Sequence, residues 1–210
     1  MKAPTDAYKN LISTLTQIKP ILYKVPDTSC NTKIHHLKVQ SYILLTHAAF
    51  EEYLERLSKD ISTKAIELYN RESIISKALV SMTAYETIAQ LEENNARKKI
   101  SSDVASNFST FANLAKVNLH KQIEKNHGVR KENQRSLLVP IGIEPDDIDP
   151  LTSNALDAYG VKRGDIAHKV IITRKETKSS IIGEIKIIKD GLIEFDKAAC
   201  KALSIGMKKM

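Results

Sequence analysis

Apolar positions recur at three- and four-residue steps along most of the chain, the spacing of a buried helical face. Tyr8, Leu11, Leu15 and Ile18 share one side of a first helix that Thr5 or Asp6 can cap. Pro20 and Pro26 punctuate its end, so residues 1–30 read as an N-terminal helix and linker. A long second helix is predicted to start near Asn31. Its centre, Tyr42 to Phe50, is apolar on nearly every side and belongs deep in a core, and Glu51, Glu52, Glu55 and Arg56 then return it to water. Further helices are predicted over 73–93 and over 102–125, the second with Val104, Phe108, Phe111, Ala115 and Asn118 in a narrow stripe.

The rhythm breaks over residues 126–150. Basic and amide residues from Arg130 to Arg135 lead into an apolar plug, Leu137 to Ile143, and then to Pro145 and Pro150. This reads as a long connector. A helix over 151–170 follows, capped by Asp149 or Thr152 and carrying Leu151, Leu156 and Tyr159. The segment 178–205 is the most regular: Ile181, Ile185, Ile188, Leu192, Phe195, Ala199 and Ala202 alternate steps of four and three. Gly183 and Gly191 weaken that helix locally, and its seam reads as intramolecular core. No repeat and no hairpin chemistry is visible, and the one β-leaning run, Val170 to Thr173, is short. The prediction is a single all-α domain over residues 1–210, a bundle of about five to seven helices.

Composition narrows the class. At 210 residues, 42% apolar and 27% charged, the chain can bury a core without staples. Two cysteines without metal-ligand spacing, a polar N-terminus and no apolar run near about 18 residues predict a cytoplasmic protein that neither spans nor binds a membrane. The net charge of +7 is unevenly spread. Residues 1–150 hold 20 basic and 18 acidic groups, whereas 151–210 hold 12 and 7, so the predicted 151–170 helix lies in the basic part. That favours a polyanionic partner.

Chemistry concentrates in that helix, in the run Val161-Lys162-Arg163-Gly164-Asp165-Ile166-Ala167-His168. Arg163 offers a permanently charged fork for phosphate oxygens, and His168 exchanges a proton near neutral pH. Cleaving RNA at a 2′-hydroxyl needs a base, an acid and positive charge on the phosphorus-bound oxygens, and no metal. Five helical steps separate the two side chains by about 140° and about 7.5 Å. One chain therefore cannot close them on a single phosphate, whereas a twofold dimer can. Other groups rank lower. His35 and His36 are adjacent and do not face each other, and no zinc pattern or phosphate-binding glycine loop occurs. His47 reads as a core histidine that can also line a cleft. His120 and His127 flank basic residues that suit a phosphate surface or plain solvent. Glu51, Glu52 and Glu55 are explained by an exposed helical turn.

The run Leu156 to His168 resembles the signature of the HEPN superfamily, in which an Arg precedes a His by four to six residues, often with Ile-Ala before the His. Tyr42 to Leu54 resembles the early core helix of its RiboL-PSP-type members. The resemblance implies a metal-independent, cofactor-free endoribonuclease acting as a homodimer on RNA, leaving 2′,3′-cyclic phosphate ends, in a toxin or antiviral defence setting with a cognate antitoxin or defence partner. It implies that His168 transfers protons and Arg163 stabilises the phosphate, with Asp165, Glu51, Glu52 and His47 as supporting residues. Lys162, Lys169, Arg130, Lys131 and Arg135 are the basic residues placed to contact RNA. The position after the Arg is often Asn, Asp or His in that family and is Gly164 here. That leaves a second reading open, a non-catalytic dimer of the same fold that binds RNA, a nucleotide or a partner protein.

Overall fold

A single helix of 40 residues, α2 (Lys33–Glu72), is the axis of the fold in the computed structural model, which describes residues 1–91, 102, 107–169, 172–204 and 206–208. Thr32 starts α2, its Oγ1 accepting the His35 N–H at 3.2 Å, and Ser73 ends it in the left-handed region at φ 55°. Between these caps Val39, Ile43, Phe50, Leu54, Leu57, Ile61 and Ala65 are buried at three-, four- and seven-residue steps, so one stripe carries the core along most of its length.

The other helices pack around this axis: α1 (Asp6–Ile18), α3 (Lys77–Leu91), α4 (Phe108–Glu124), α5 (Lys131–Leu138), α6 (Pro145–Ile148), α7 (Pro150–His168) and α8 (Lys178–Ser204). The seam predicted on α8 is buried at all seven positions, against α2 and its neighbours. Asp196, fully buried on α8, accepts hydrogen bonds from both the backbone N–H and the hydroxyl of Thr5, the residue that caps α1. These charge-assisted bonds tie the first helix to the last.

The outline agrees with the expected all-α bundle, with three differences. The connector over 126–150 holds helices α5 and α6 and a 3₁₀ turn at Val139–Ile141. Its apolar plug supplies Leu137, Leu138, Ile141 and Ile143 to the core, and so many buried backbone groups require helical pairing. A two-stranded ladder, β1 (Ile74–Ser76) with β2 (Gly206–Lys208), pairs antiparallel although no hairpin joins the strands. Gly191 does more than weaken α8. A Cβ there would overlap the Thr152 hydroxyl, so the glycine lets α7 approach α8 closely. Glu92, Glu93, Val104, Val170, Ile171 and Lys209 lie outside the described residues, and Ile172 and Thr173 adopt no regular structure. Among the described residues no helix is long and apolar enough to cross a membrane.

Candidate active site on α2 and α7

Helix α7 is held by its inner face. Asp149 caps it by accepting the Leu151 and Thr152 N–H groups, and Pro150 occupies the first turn, where no N–H is needed. Tyr159, almost fully buried, meets Phe50 edge-to-face with ring centroids 5.7 Å apart. Its hydroxyl lies 2.5 Å from Thr46 Oγ1. Thr46 donates its own proton to the Tyr42 carbonyl, so Tyr159 is the donor in this pair. These contacts fix the rotation of α7 over the middle of α2.

Arg163 follows Tyr159 by one turn, and its charge acts on His47 and Glu51, the neighbours of Thr46 and Phe50 on α2. His47 is buried, and burial together with the Arg163 charge pushes its imidazole down to about 4. It is neutral at physiological pH, so the 3.5 Å approach of its Nδ1 to Glu51 Oε2 is not an ion pair. Glu51 is pulled both ways. Burial and then the neighbouring Glu55 raise its proton affinity, while Arg163 and His127 lower it, with a net rise. Arg163 itself is half-buried and makes no hydrogen bond or ion pair within 4 Å among the described residues.

His168 is the last residue of α7 and is exposed. It ends a stripe running through Leu151, Asn154, Ala158, Val161 and Asp165, on the side of the helix away from Arg163. Leu151 and Val161 on this stripe are 67% and 47% exposed, an uncovered apolar edge that finishes at the imidazole. The structure thus separates Arg163 from His168 within one chain, as the spacing predicts.

The basic residues singled out in the sequence are mostly engaged by carboxylates. Arg130 pairs with Asp157, Lys131 with Asp146, Arg135 with Glu144 and Asp146, Lys162 with Glu184, and Lys169 with Asp165. Asp165 is therefore turned towards Lys169, which holds its carboxyl below the usual range, rather than towards Arg163. Glu52 faces Asn10 at 3.4 Å and lies apart from Glu51. Of the predicted supporting residues, the structure brings His47 and Glu51 to Arg163.

Sequence reasoning named His127 and Arg130 as candidate phosphate contacts but did not place the loop 126–130 against α2 and α7. Asn126, buried, donates to Glu55 Oε1 at 2.8 Å and to the Gly128 carbonyl at 3.1 Å, and accepts from Asn133 at 2.9 Å. On the other side the loop presses on Gly160, where a Cβ would stand 2.8 Å from Arg130 Cγ. The loop is clamped between α2 and α7, with the exposed His127 close enough to Glu51 for its charge to be felt there. No local signal marks this arrangement, since Asn126 and Glu55 are 71 residues apart.

The RiboL-PSP-HEPN family model matches residues 6–201, from the first turn of α1 into the last turn of α8. No curated protein and no solved structure matches the chain. The match takes in α2, α7 and the clamped loop together, and the chain belongs to the RiboL-PSP-HEPN family.

Proposed function

We propose that this protein is a metal-independent endoribonuclease acting as a homodimer in a toxin or antiviral defence system, with Arg163 and His168 as its reacting groups. Family membership supports a nuclease or RNA-related role. The observation that carries the reading is the state of Arg163. Arg130, Arg135 and Arg174 are committed to carboxylates, whereas the Arg163 guanidinium has no carboxylate within 4 Å among the described residues. It lies half-buried beside an imidazole that burial keeps neutral. A fork of unspent donors in a partly desolvated cleft suits a phosphodiester oxygen pair.

Dimerisation follows from the direction of the two side chains. His168 closes an exposed, partly apolar stripe, and covering that stripe with its twofold copy delivers each His168 towards the other subunit. The chemistry is then attack of O2′ on phosphorus with loss of O5′. Arg163 bears the charge of the phosphorus-bound oxygens, and His168 moves a proton.

The test is His168→Ala with RNA as substrate. Cleavage falls by at least about 10²-fold while fold and subunit association are unchanged, chelators do not inhibit the wild type, and products carry 2′,3′-cyclic phosphate. Undiminished cleavage by this variant refutes the assignment. One observation favours a second reading, a non-catalytic dimer that binds RNA, a nucleotide or a partner protein. Gly164 has no side chain to support Arg163, and Asp165 is taken by Lys169. RNA binding without turnover in the wild type selects it.

A further inference from the structure

Transesterification of RNA needs two proton transfers, one from the 2′-hydroxyl and one to the departing O5′, and His168 accounts for one. The other imidazole beside Arg163 within the chain, His47, is buried, with only 2% of its side chain exposed, and cannot meet a polynucleotide. His127 is different. It is exposed, sits on a loop fastened to α2 by Asn126 and Glu55, and that loop bears on α7 at Gly160, one turn before Arg163. Glu51, on the part of α2 that the loop is fastened to, feels the charges of both Arg163 and His127.

We infer that His127 is the second proton-transfer group of the site, so that each half-site consists of Arg163 and His127 from one subunit and His168 from the other. The inference rests on the ribonuclease reading above. One imidazole takes the 2′-hydroxyl proton as the O2′–P bond forms, and the other, as imidazolium, gives its proton to O5′ as the P–O5′ bond breaks. Arg163 holds the non-bridging oxygens throughout. No oxidant, metal or co-reactant enters, and protons balance after the imidazoles re-equilibrate with water. The charged groups on the elements that flank its loop are Glu51, whose carboxyl feels the charges of His127 and Arg163, Glu55, which holds Asn126, and the Arg130–Asp157 pair between the loop and α7.

The experiment compares wild type, His127→Ala, His127→Gly and His168→Ala. His127 and His168 are both exposed, so none of the three variants disturbs the core, and circular dichroism checks that each is folded. Support is a fall in kcat of about 10²- to 10⁴-fold in His127→Ala with little change in KM, loss of one limb of the pH–rate profile, and partial rescue of His127→Gly by added imidazole. Cleavage by His127→Ala at the wild-type rate with both limbs intact overturns the inference and leaves the ribonuclease reading standing. If His168→Ala cleaves normally and His127→Ala does not, the reading's His168 assignment fails and His127 stands. If the wild type cleaves no RNA, the reading fails, and a 2′-O-methyl RNA oligonucleotide titrated under NMR decides the placement. Shifts of the His127 ring at the concentrations that shift the Arg163 side chain support it, and an unmoved His127 ring overturns it.

Discussion

Two glycines on one helix give opposite expectations for the same substitution. At Gly191 an added Cβ would coincide with Thr152 Oγ1 and stand 2.8 Å from Thr152 Cβ and 2.9 Å from Asp149 Oδ2. Thr152 is fully buried and donates to Asp149 at 2.6 Å. A methyl enters only if Thr152 rotates away from its charged acceptor, at about 1.5–3 kcal/mol, or if α7 and α8 separate, an overpacking cost of about 1–3 kcal/mol. Alanine's better helix propensity returns about 0.8–1 kcal/mol. Gly191→Ala is therefore destabilised by up to about 2 kcal/mol. At Gly183 no atom lies within 4 Å of the added Cβ, so Gly183→Ala keeps the whole propensity gain and is stabilised by up to about 1 kcal/mol. Urea unfolding followed at 222 nm reads both. With a slope of about 2–3 kcal/mol/M for a chain this long, the Gly191→Ala midpoint drops by up to about 1 M while that of Gly183→Ala rises. Adding Thr152→Ala to Gly191→Ala removes the overlapping oxygen, so the pair costs less than the sum of its parts. A Gly191→Ala protein at least as stable as wild type refutes the close-approach argument.

Three further outcomes follow from the cleft. His47 is neutral in the fold and held at about 4, against 6.5 ordinarily, so the unfolded chain binds a proton that the fold refuses between those values. Its contribution is complete above pH 6.5 and is lost as pH falls towards 4, of order 3 kcal/mol, partly offset by Glu51, whose raised value works the other way. His47→Gln flattens this acid limb in urea titrations from pH 7 to 4, and an unchanged limb counts against the burial argument. Arg163→Lys keeps the charge but loses the fork, and RNA cleavage falls by at least tenfold with the fold intact; a rate equal to wild type refutes the bidentate role. Binding of a 2′-O-methyl RNA oligonucleotide brings a further negative charge near Glu51, whose proton affinity is already raised, and is accompanied by proton uptake. Calorimetry in buffers of different ionisation enthalpy measures it, and Glu51→Gln removes it; uptake that persists in Glu51→Gln puts the proton elsewhere.

The helices and their inward faces were legible because burial imposes a period, and Ile181 to Ala202 on α8 obey it without exception. The divergence of Arg163 and His168 was equally legible, since helical geometry alone separates them. What the chain hid is long-range. The β1–β2 ladder joins three-residue strands more than 120 positions apart, with no turn residues to announce it. The role of Gly191 depends on the neighbour it admits, and a period-based reading sees only a poor helix former. The 126–150 segment lacks periodicity because its helices are too short to show any, α5 having eight residues and α6 four. Glu55, read as a solvated carboxylate, is spent on fixing Asn126, and only the folded chain puts those two residues in contact.

The way α7 is attached argues for a site divided between subunits. Its first turn is locked to α8 at Gly191, its middle to α2 through Tyr159 and to the 126–130 loop at Gly160. Beyond Arg163 the anchoring thins: a Cβ at Gly164 would meet nothing within 4 Å, and Ala167 and His168 are exposed. Ile166 is the last apolar side chain of α7 packed against the core, and Arg163 lies between it and the contact of the 126–130 loop at Gly160. His168 projects past the packed region at the end of an uncovered edge. On the proposed ribonuclease reading, a phosphate at Arg163 would take its remaining proton-transfer group from outside the chain, and a twofold copy burying the same edge would supply an identical His168.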